Sequence, residues 1–438
     1  MGQITLQTEL PRRASPGGAV VIILALAVLG AIELAAPQES HAIPAWARKY
    51  DADCAMCHYP VVPRLNSFGQ QFRRAGYRTP SEFNKDQDLT NVGNFLAARV
   101  RAQLAYDNTK GTVERSEFRF SDLSIFYSGA LTRNFSAYIH ASSNNSTNVD
   151  FHGHLQGIYG SSDSFISVRL GQMHMLQQEG VGGFDRPTGI SVPAIHALTL
   201  TSTSVLANGA AQAFQFDLRQ KGVEAAYVRG AGRLLFQVTN GLNQTGSGTA
   251  NLGDIDPQKD YLVAYEHILD EIASGFTLFY YHGTTHGTAT FSPATASTGP
   301  PTSISNEFNY SRYGVNLSKI FPVGGLGFFE IQGGYIRSHD NNPSLVGSPV
   351  QLSRDVEGNA FYVESQQYVT GPELTFFERY SWMDLNAPRP NSTRKDYTVG
   401  VVMPVQTRLR TTAEYTYTDN RFSGVTGHLA LLELQANW

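Results

Sequence analysis

Leu409-Arg410-Thr411-Thr412-Ala413-Glu414-Tyr415-Thr416-Tyr417 alternates apolar and polar side chains along an extended run. Successive side chains of a β-strand point to opposite faces. Leu409, Ala413, Tyr415 and Tyr417 therefore share one face, and Arg408, Arg410, Thr412, Glu414 and Thr416 share the other. A face of apolar groups opposite a face of charged ones suits lipid on one side and water on the other. The pattern recurs upstream: Leu234, Phe236 and Val238 form one apolar face, Phe276, Leu278 and Tyr280 another, and Tyr397, Val399, Val401 and Met403 a third.

A soluble β-sandwich alternates too, so connection lengths decide between the two folds. Strand-like runs begin near residues 92, 116, 133, 149, 163, 212, 232, 259, 273, 306, 325, 358, 373, 394, 407 and 427. Short links (Gly129–Thr132, Tyr159–Ser162, Arg229–Gly232, Phe321–Gly324, Thr370–Pro372, Pro404–Gln406) alternate with long ones at 174–211, 242–258, 285–304, 340–357 and 386–393. Membrane barrels are built this way, with tight turns at one end and longer loops at the other. The count of about sixteen is even, as in single-chain bacterial barrels. At the C-terminus Leu432, Leu434, Ala436 and Trp438 share a face. That ending resembles the terminal aromatic signature of bacterial outer-membrane barrels.

Composition agrees. Charged residues make up only 16% of the 438-residue chain, which holds 41 Gly, 21 Tyr and 25 Phe. Past the N-terminus no apolar run approaches a membrane-spanning helix. The net charge of -4 gives no reason to expect a polyanion, so no nucleic-acid partner is expected. There is no Ser-His-Asp set and no phosphate-binding glycine loop. The expected fold class is all-β: a transmembrane outer-membrane β-barrel of about 16 antiparallel strands, preceded by a short α-helical plug.

The N-terminus reads as an export signal. Arg12 and Arg13 precede the apolar stretch Ala19–Leu29, and Ser40-His41-Ala42 has the small-x-small form of a cleavage site. Residues 1–42 are assigned to a signal peptide, 43–87 to a plug segment and 88–438 to the barrel. The plug segment contains Cys54-Ala55-Met56-Cys57-His58, and these are the only cysteines in the chain. C-x-x-C-H attaches a c-type haem. Cys54 and Cys57 form thioethers with the porphyrin, and His58 is the proximal ligand to the haem iron. A structural zinc would need further ligands nearby, and a thioredoxin-like motif a βαβ context. Two short helices are expected. The first carries Trp46 and the haem motif, and the second runs from near Pro63 to Gly76 with Leu65, Phe68 and Phe72 on one face. Arg64, Arg73, Arg74 and Arg78 make the segment basic, to pair with haem propionates or with acidic groups of the lumen, or to form a solvated helix face. So short a segment cannot bury a haem alone, so it is expected to fold back into the barrel.

Trp46-Ala47-Arg48, Cys54–His58, Pro63-Arg64-Leu65-Asn66-Ser67-Phe68-Gly69, Phe72 and Gly76-Tyr77 together resemble the fused outer-membrane cytochrome–porins. In that family a one-haem segment precedes a porin-like barrel, and its best-known members oxidise extracellular ferrous iron. The specific likeness covers roughly residues 46–77; Tyr59 stands where Phe is more usual. The resemblance implies electron transfer across the outer membrane.

The sixth haem ligand has to come from outside the plug segment, whose only other histidine or methionine is Met56 within the attachment loop. In the third to fifth strands alternation places His140, His152, His154, Met173 and Met175 inside, and His174 outside. Each of the five inward residues is a candidate ligand; each also reads as an ordinary lumen residue, and five-coordinate iron is a further alternative. The long loop 174–211 could fold over the barrel mouth, or lie on the surface. The expected function is that of an Fe(II):cytochrome c oxidoreductase. It would take electrons from extracellular Fe(II) or another reductant and pass them through one haem to a periplasmic electron-carrier protein. The alternatives are an outward conduit to extracellular acceptors, and a diffusion porin whose plug is stapled by haem.

Overall fold

The alternating runs become sixteen strands in a computed structural model. They are β1 (Leu96–Thr109), β2 (Arg115–Ala130), β3 (Phe135–Ser143), β4 (Asp150–Gly160), β5 (Ser164–His174), β6 (Arg219–Arg229), β7 (Gly232–Thr239), β8 (Asp260–Ile268), β9 (Gly275–Phe291), β10 (Thr302–Pro322), β11 (Gly327–Asn341), β12 (Val356–Val369), β13 (Leu374–Asp384), β14 (Thr393–Gln406), β15 (Leu409–Asn420) and β16 (Val425–Asn437). The structure describes residues 44–52, 56–58, 64–109, 114–143, 149–174, 188–193, 195, 219–241, 257–272, 274–291, 302–341, 356–384, 392–406, 409–421 and 424–438. The signal-peptide assignment therefore lies outside the described residues.

Each strand pairs antiparallel with its chain neighbours, and β1 pairs with β16 from Arg99↔Asn437 to Thr109↔Gly427. Closure leaves no sheet edge with unpaired amides, as a hydrocarbon surrounding requires. The side chains are distributed to match. Phe118 is 85% exposed and Leu170 60%, and Ile139, Phe151, Leu155, Leu234, Leu278 and Val399 are also exposed. Glu224, Arg233, Glu266, Arg312, Glu364 and Arg379 are buried. A water-soluble protein hides its apolar groups and exposes its charges. This barrel does the reverse, which places lipid outside and a polar lumen within.

The long connections, 175–218, 240–259, 292–301 and 342–355, leave one end of the barrel, and short turns such as 161–163, 230–231 and 323–326 close the other. Two expected boundaries move. β1 starts at Leu96 rather than 92, because Val92–Asn94 forms a 3-10 turn whose Gly93 amide donates to the Asn91 side chain. The Thr- and Ser-rich stretch expected as the loop 285–304 is largely strand: β9 runs on to Phe291 and pairs with β10 from Thr302. About 9–11 tilted residues suffice to span the bilayer. The pairing of β9 with β10 extends beyond that length, so the ladder continues where the apolar alternation of the sequence has ended.

The long connection after β5 enters the lumen at its described residues. The amides of Ile190 and Ser191 donate to the Glu414 carboxylate, at 2.7 and 3.1 Å to Oε2. Arg379 Nη2 donates to Ser191 Oγ at 2.6 Å, and Thr188 Oγ1 to Glu364 Oε1 at 2.5 Å. Ile195 is buried among the inward side chains Leu235, Phe279, Tyr310 and Tyr362. These contacts draw residues 188–195 onto the inner wall.

Candidate functional site

The N-terminal segment lies against the short-turn end of the lumen. Its first helix, α1 (Pro44–Tyr50), ends before the cysteine motif, so the expected helix carrying both Trp46 and the motif is not formed. The second, α2 (Ser67–Arg74), starts later than the expected Pro63. A β-bridge pairs His58 with Leu65 just before it, and Asn66 caps the helix, its Oδ1 accepting from the Gly69 amide at 2.8 Å. An Asx cap satisfies an amide that the first helical turn leaves unpaired. Aromatic rings make the segment's small core. Trp46 stacks on Tyr77 at 4.9 Å between centroids and meets Phe72 edge-on at 5.3 Å, and Phe68 stacks on Phe72 at 6.1 Å.

The basic residues reach the wall. Arg64 pairs with Glu330 of β11 and donates to Gln332 and to Ser318 of β10, each at 3.1 Å. Arg74 pairs with Glu266 of β8 at 3.1 Å, and both side chains are buried. Glu266 also faces Arg233 at 3.4 Å; Arg233 pairs with Glu224 at 2.6 Å, which faces Arg169 at 3.4 Å. Of the two partners expected for the arginines, acidic lumen groups take Arg64 and Arg74. Arg78 donates to the carbonyls of Thr132 and Phe135, both at 2.7 Å, and burial lowers its pKa. Gln71, Trp46 and Asn84 donate to the carbonyls of Gly230, Ser128 and Gly160. Gly76, at φ +62°, leaves so little room that a Cβ would sit 2.3 Å from Ser136 Oγ. Outside the barrel strands, Glu82 binds Lys49 at 2.9 Å and accepts from Tyr50 at 2.8 Å. Burial raises the Glu82 pKa, but the donors Lys49, Thr79 and Tyr50 outweigh it and hold the carboxyl below its ordinary range.

The cysteine motif shows a geometry that suits a haem ligand. His58 is buried, and its Nδ1 lies 2.9 Å from the carbonyl of Arg64. A hydrogen bond from Nδ1–H to a carbonyl fixes the tautomer in which Nε2 carries the lone pair, the form that metal-binding histidines take. The loop is locked to α2: the Asn66 amide donates to the Cys57 carbonyl at 2.9 Å, and Asn66 Nδ2 donates to the Met56 carbonyl at 3.1 Å. Gly69 packs directly on this loop; a Cβ there would lie 2.2 Å from the Cys57 oxygen. Leu65-Asn66-Ser67-Phe68-Gly69 is thus the brace of the motif. Cys57 is half-buried, and Cys54 lies outside the described residues. The donor set present, a histidine held at Nδ1 beside a cysteine at the attachment spacing, fits a c-type haem.

The candidate sixth ligands cluster on the wall β3–β5. His140, His152 and Met173 are buried on the lumen face, as alternation expects, and Met175 lies outside the described residues. His154 stacks on Tyr138 at 5.6 Å, and Tyr138 stacks on Tyr77 of the N-terminal segment at 6.3 Å. His174 differs from expectation. It was to point outward, yet its Nε2 lies 3.3 Å from His152 Nε2. Pairing of β4 with β5 stops at Gly153↔Gln172, whereas β5 stays paired with β6 as far as His174↔Arg219, so the ladder continues past that point on one side only. The stretch that braces the cysteine motif reaches the wall through Arg64 at β10–β11, whereas these residues belong to β3–β5. Sequence reasoning missed Glu330, Glu266 and the brace at Gly69. Only the inward, buried carboxylates of the alternating pattern pointed to the first two.

No family model and no curated protein matches the chain. Solved structures do. OprB of Pseudomonas putida aligns over 78% of this chain and 94% of its own at TM-score 0.52 and 9% identity. An anion-selective porin from Comamonas acidovorans aligns over 78% and 98% at TM-score 0.50 and 13% identity. At such identities the likeness is one of fold, and the fold of this chain is the closed sixteen-strand barrel of the outer-membrane porins.

Proposed function

We propose that this chain is an outer-membrane cytochrome–porin fusion that carries single electrons from an extracellular reductant, Fe(II), toward a periplasmic electron carrier. The single observation that carries the reading is the His58 imidazole, held through Nδ1 on the Arg64 carbonyl within a C-x-x-C-H motif. Cys54 and Cys57 would hold a c-type haem covalently, and His58 Nε2 would be its proximal ligand. Such a group supplies one-electron chemistry at a potential set by ligation and burial. The chain's own residues do the rest. The Arg64 carbonyl orients His58, Asn66 and Gly69 brace the attachment loop, and the pairs Arg64–Glu330 and Arg74–Glu266 fix the segment to the wall. Cleavage after Ala42 would deliver the mature chain beyond the inner membrane, where haem attachment takes place.

A diffusion porin is the second reading, favoured by the likeness to porins in fold. Against it, the described residues 64–78 and 188–191 both bond to side chains of the lumen wall.

The test is anaerobic mixing of the haem-loaded protein with Fe(II) at acidic and at neutral pH. Prompt growth of the reduced α-band supports the proposal. No reduction under either condition contradicts it, and solute flux that survives a Cys54→Ser/Cys57→Ser double variant favours the porin.

A further inference from the structure

We propose that His140, His152 and His174 form a site for a divalent first-row transition-metal ion on the β3–β5 wall of the lumen, distinct from the haem-attachment segment. His152 Nε2 lies 3.2 Å from His140 Nδ1 and 3.3 Å from His174 Nε2. A ring nitrogen carries either one proton or one lone pair, so it serves one such neighbour well and not two. Three imidazole nitrogens around a tetrahedral ion, bound at about 2.0–2.1 Å each, stand about 3.3 Å apart. The spacing that strains a hydrogen-bond network is the spacing such an ion imposes.

The surroundings are those of a ligand set. His140 Nε2 lies 2.8 Å from Ser124 Oγ, and Ser124 Oγ donates to Asp122 Oδ1 at 2.7 Å. Metal-bound histidines typically pass their second N–H to such an oxygen, which fixes the ring and raises its basicity. The rings meet edge to face, at 74° for His140–His152 and 86° for His152–His174. His152 is 4% exposed, and its Nδ1 has no hydrogen-bond partner among the described residues. Those residues do not yet place three donors around one ion-sized point. His174 is the last residue of β5, past the end of its pairing with β4 but still paired with Arg219 of β6, so the proposed site requires its side chain, not its strand, to adjust. Neutral imidazoles suit Zn(II), Cu(II), Ni(II) and Fe(II).

The position gives the site a route in and a route onward. β3 ends at Ser143 and β4 starts at Asp150, so the cluster faces the end with the long connections. On its other side the rings of Tyr138, Tyr77 and Trp46 follow one another at 6.0, 6.3 and 4.9 Å from His152 to the N-terminal segment. Taken with the proposed electron transfer, this is where an incoming Fe(II) would rest. The ion site itself stands without that reading, and redox-inert Zn(II) probes it independently.

The experiment is equilibrium dialysis of the detergent-solubilised full chain against Zn(II) at neutral pH, with metal quantified per chain. One Zn(II) per chain is expected, weakened at least tenfold in His152→Ala and in each of His140→Ala and His174→Ala. It should be unchanged in His154→Ala, which alters a ring outside the triad. Ser124→Ala should weaken binding by about tenfold without removing a ligand. Unchanged heat-modifiable electrophoretic mobility confirms the barrel in each variant. Absence of Zn(II) from the wild type, or equal binding by His152→Ala, overturns the site; either result leaves the Fe(II)-mixing experiment to decide the electron-transfer reading separately.

Discussion

The wall that fastens the N-terminal segment and the wall that carries the histidines use opposite chemistry. Along β5–β8 the lumen holds a chain of ion pairs, Arg169–Glu224–Arg233–Glu266–Arg74, with its last member donated by the segment. On β10–β13, Arg64 meets Glu330, and Arg379 meets Glu364. On β3 and β4 the inward residues include Ser136, Tyr138, His140, Ser142, His152, His154 and Gln156, and the single carboxylate Asp150 stands at the start of β4. Removing one member of a buried ion pair strands its partner in a poorly solvated place. The charged walls therefore hold the segment in one seat. The β3–β4 wall also touches the segment, through Gln156 to the Arg74 carbonyl at 3.0 Å and through the Phe135 carbonyl to Arg78 at 2.7 Å, but by hydrogen bonds to backbone carbonyls. The difference is one of ion pairs against carbonyl contacts.

The comparison is broken most strongly by Arg74→Ala, which takes from Glu266 its partner in the segment and leaves it only Arg233 at 3.4 Å. A loss of about 3–5 kcal/mol in docking is expected. It should appear as protease cutting within residues 44–95 while the barrel stays intact. A neutral exchange on the other wall, Gln156→Ala, should cost far less in the same assay. The outer surface supplies a second contrast. Leu170→Arg puts a charge into lipid and should destabilise the barrel by about 2–4 kcal/mol near the midplane, read by denaturant titration in vesicles. Gly69→Ala comes next. Its Cβ would meet the Cys57 carbonyl oxygen, and overpacking of about 1–3 kcal/mol should push the attachment loop off α2. A lower haem content per chain is the expected result, with barrel folding unaffected.

The smallest effect is on pH. Glu82 has a folded pKa below its ordinary 4.5, so it binds fewer protons folded than unfolded. Its stabilising contribution is present above pH 4.5 and is lost as the pH falls through the folded value. Docking of the segment should weaken in that acid window in the wild type, and Glu82→Gln should flatten the dependence.

The barrel was legible in the sequence because lipid and water impose opposite demands on alternate residues, as at Leu409–Tyr417. The reading failed where those demands lapse. Thr302–Ser305 look like a loop because their sequence carries no run of apolar alternation, yet they pair with β9, and His174 turns inward although its pairing with β6 continues. The cysteine motif was legible from spacing alone, but its brace was not. The bond from His58 to the Arg64 carbonyl depends on a β-bridge to Leu65 that no periodicity announces. Lumen anchors such as Glu330 and Glu266 are individually ordinary inward carboxylates, and only the folded segment shows which arginine reaches which.

The central claim is that Cys54 and Cys57 tether a porphyrin whose iron His58 ligates. Intact-mass measurement of the mature chain, purified from the outer membrane of a host equipped for c-type maturation, tests it most directly. The account predicts a chain beginning near Ile43 that carries one haem. A mature, folded barrel bearing two unmodified thiols would contradict it.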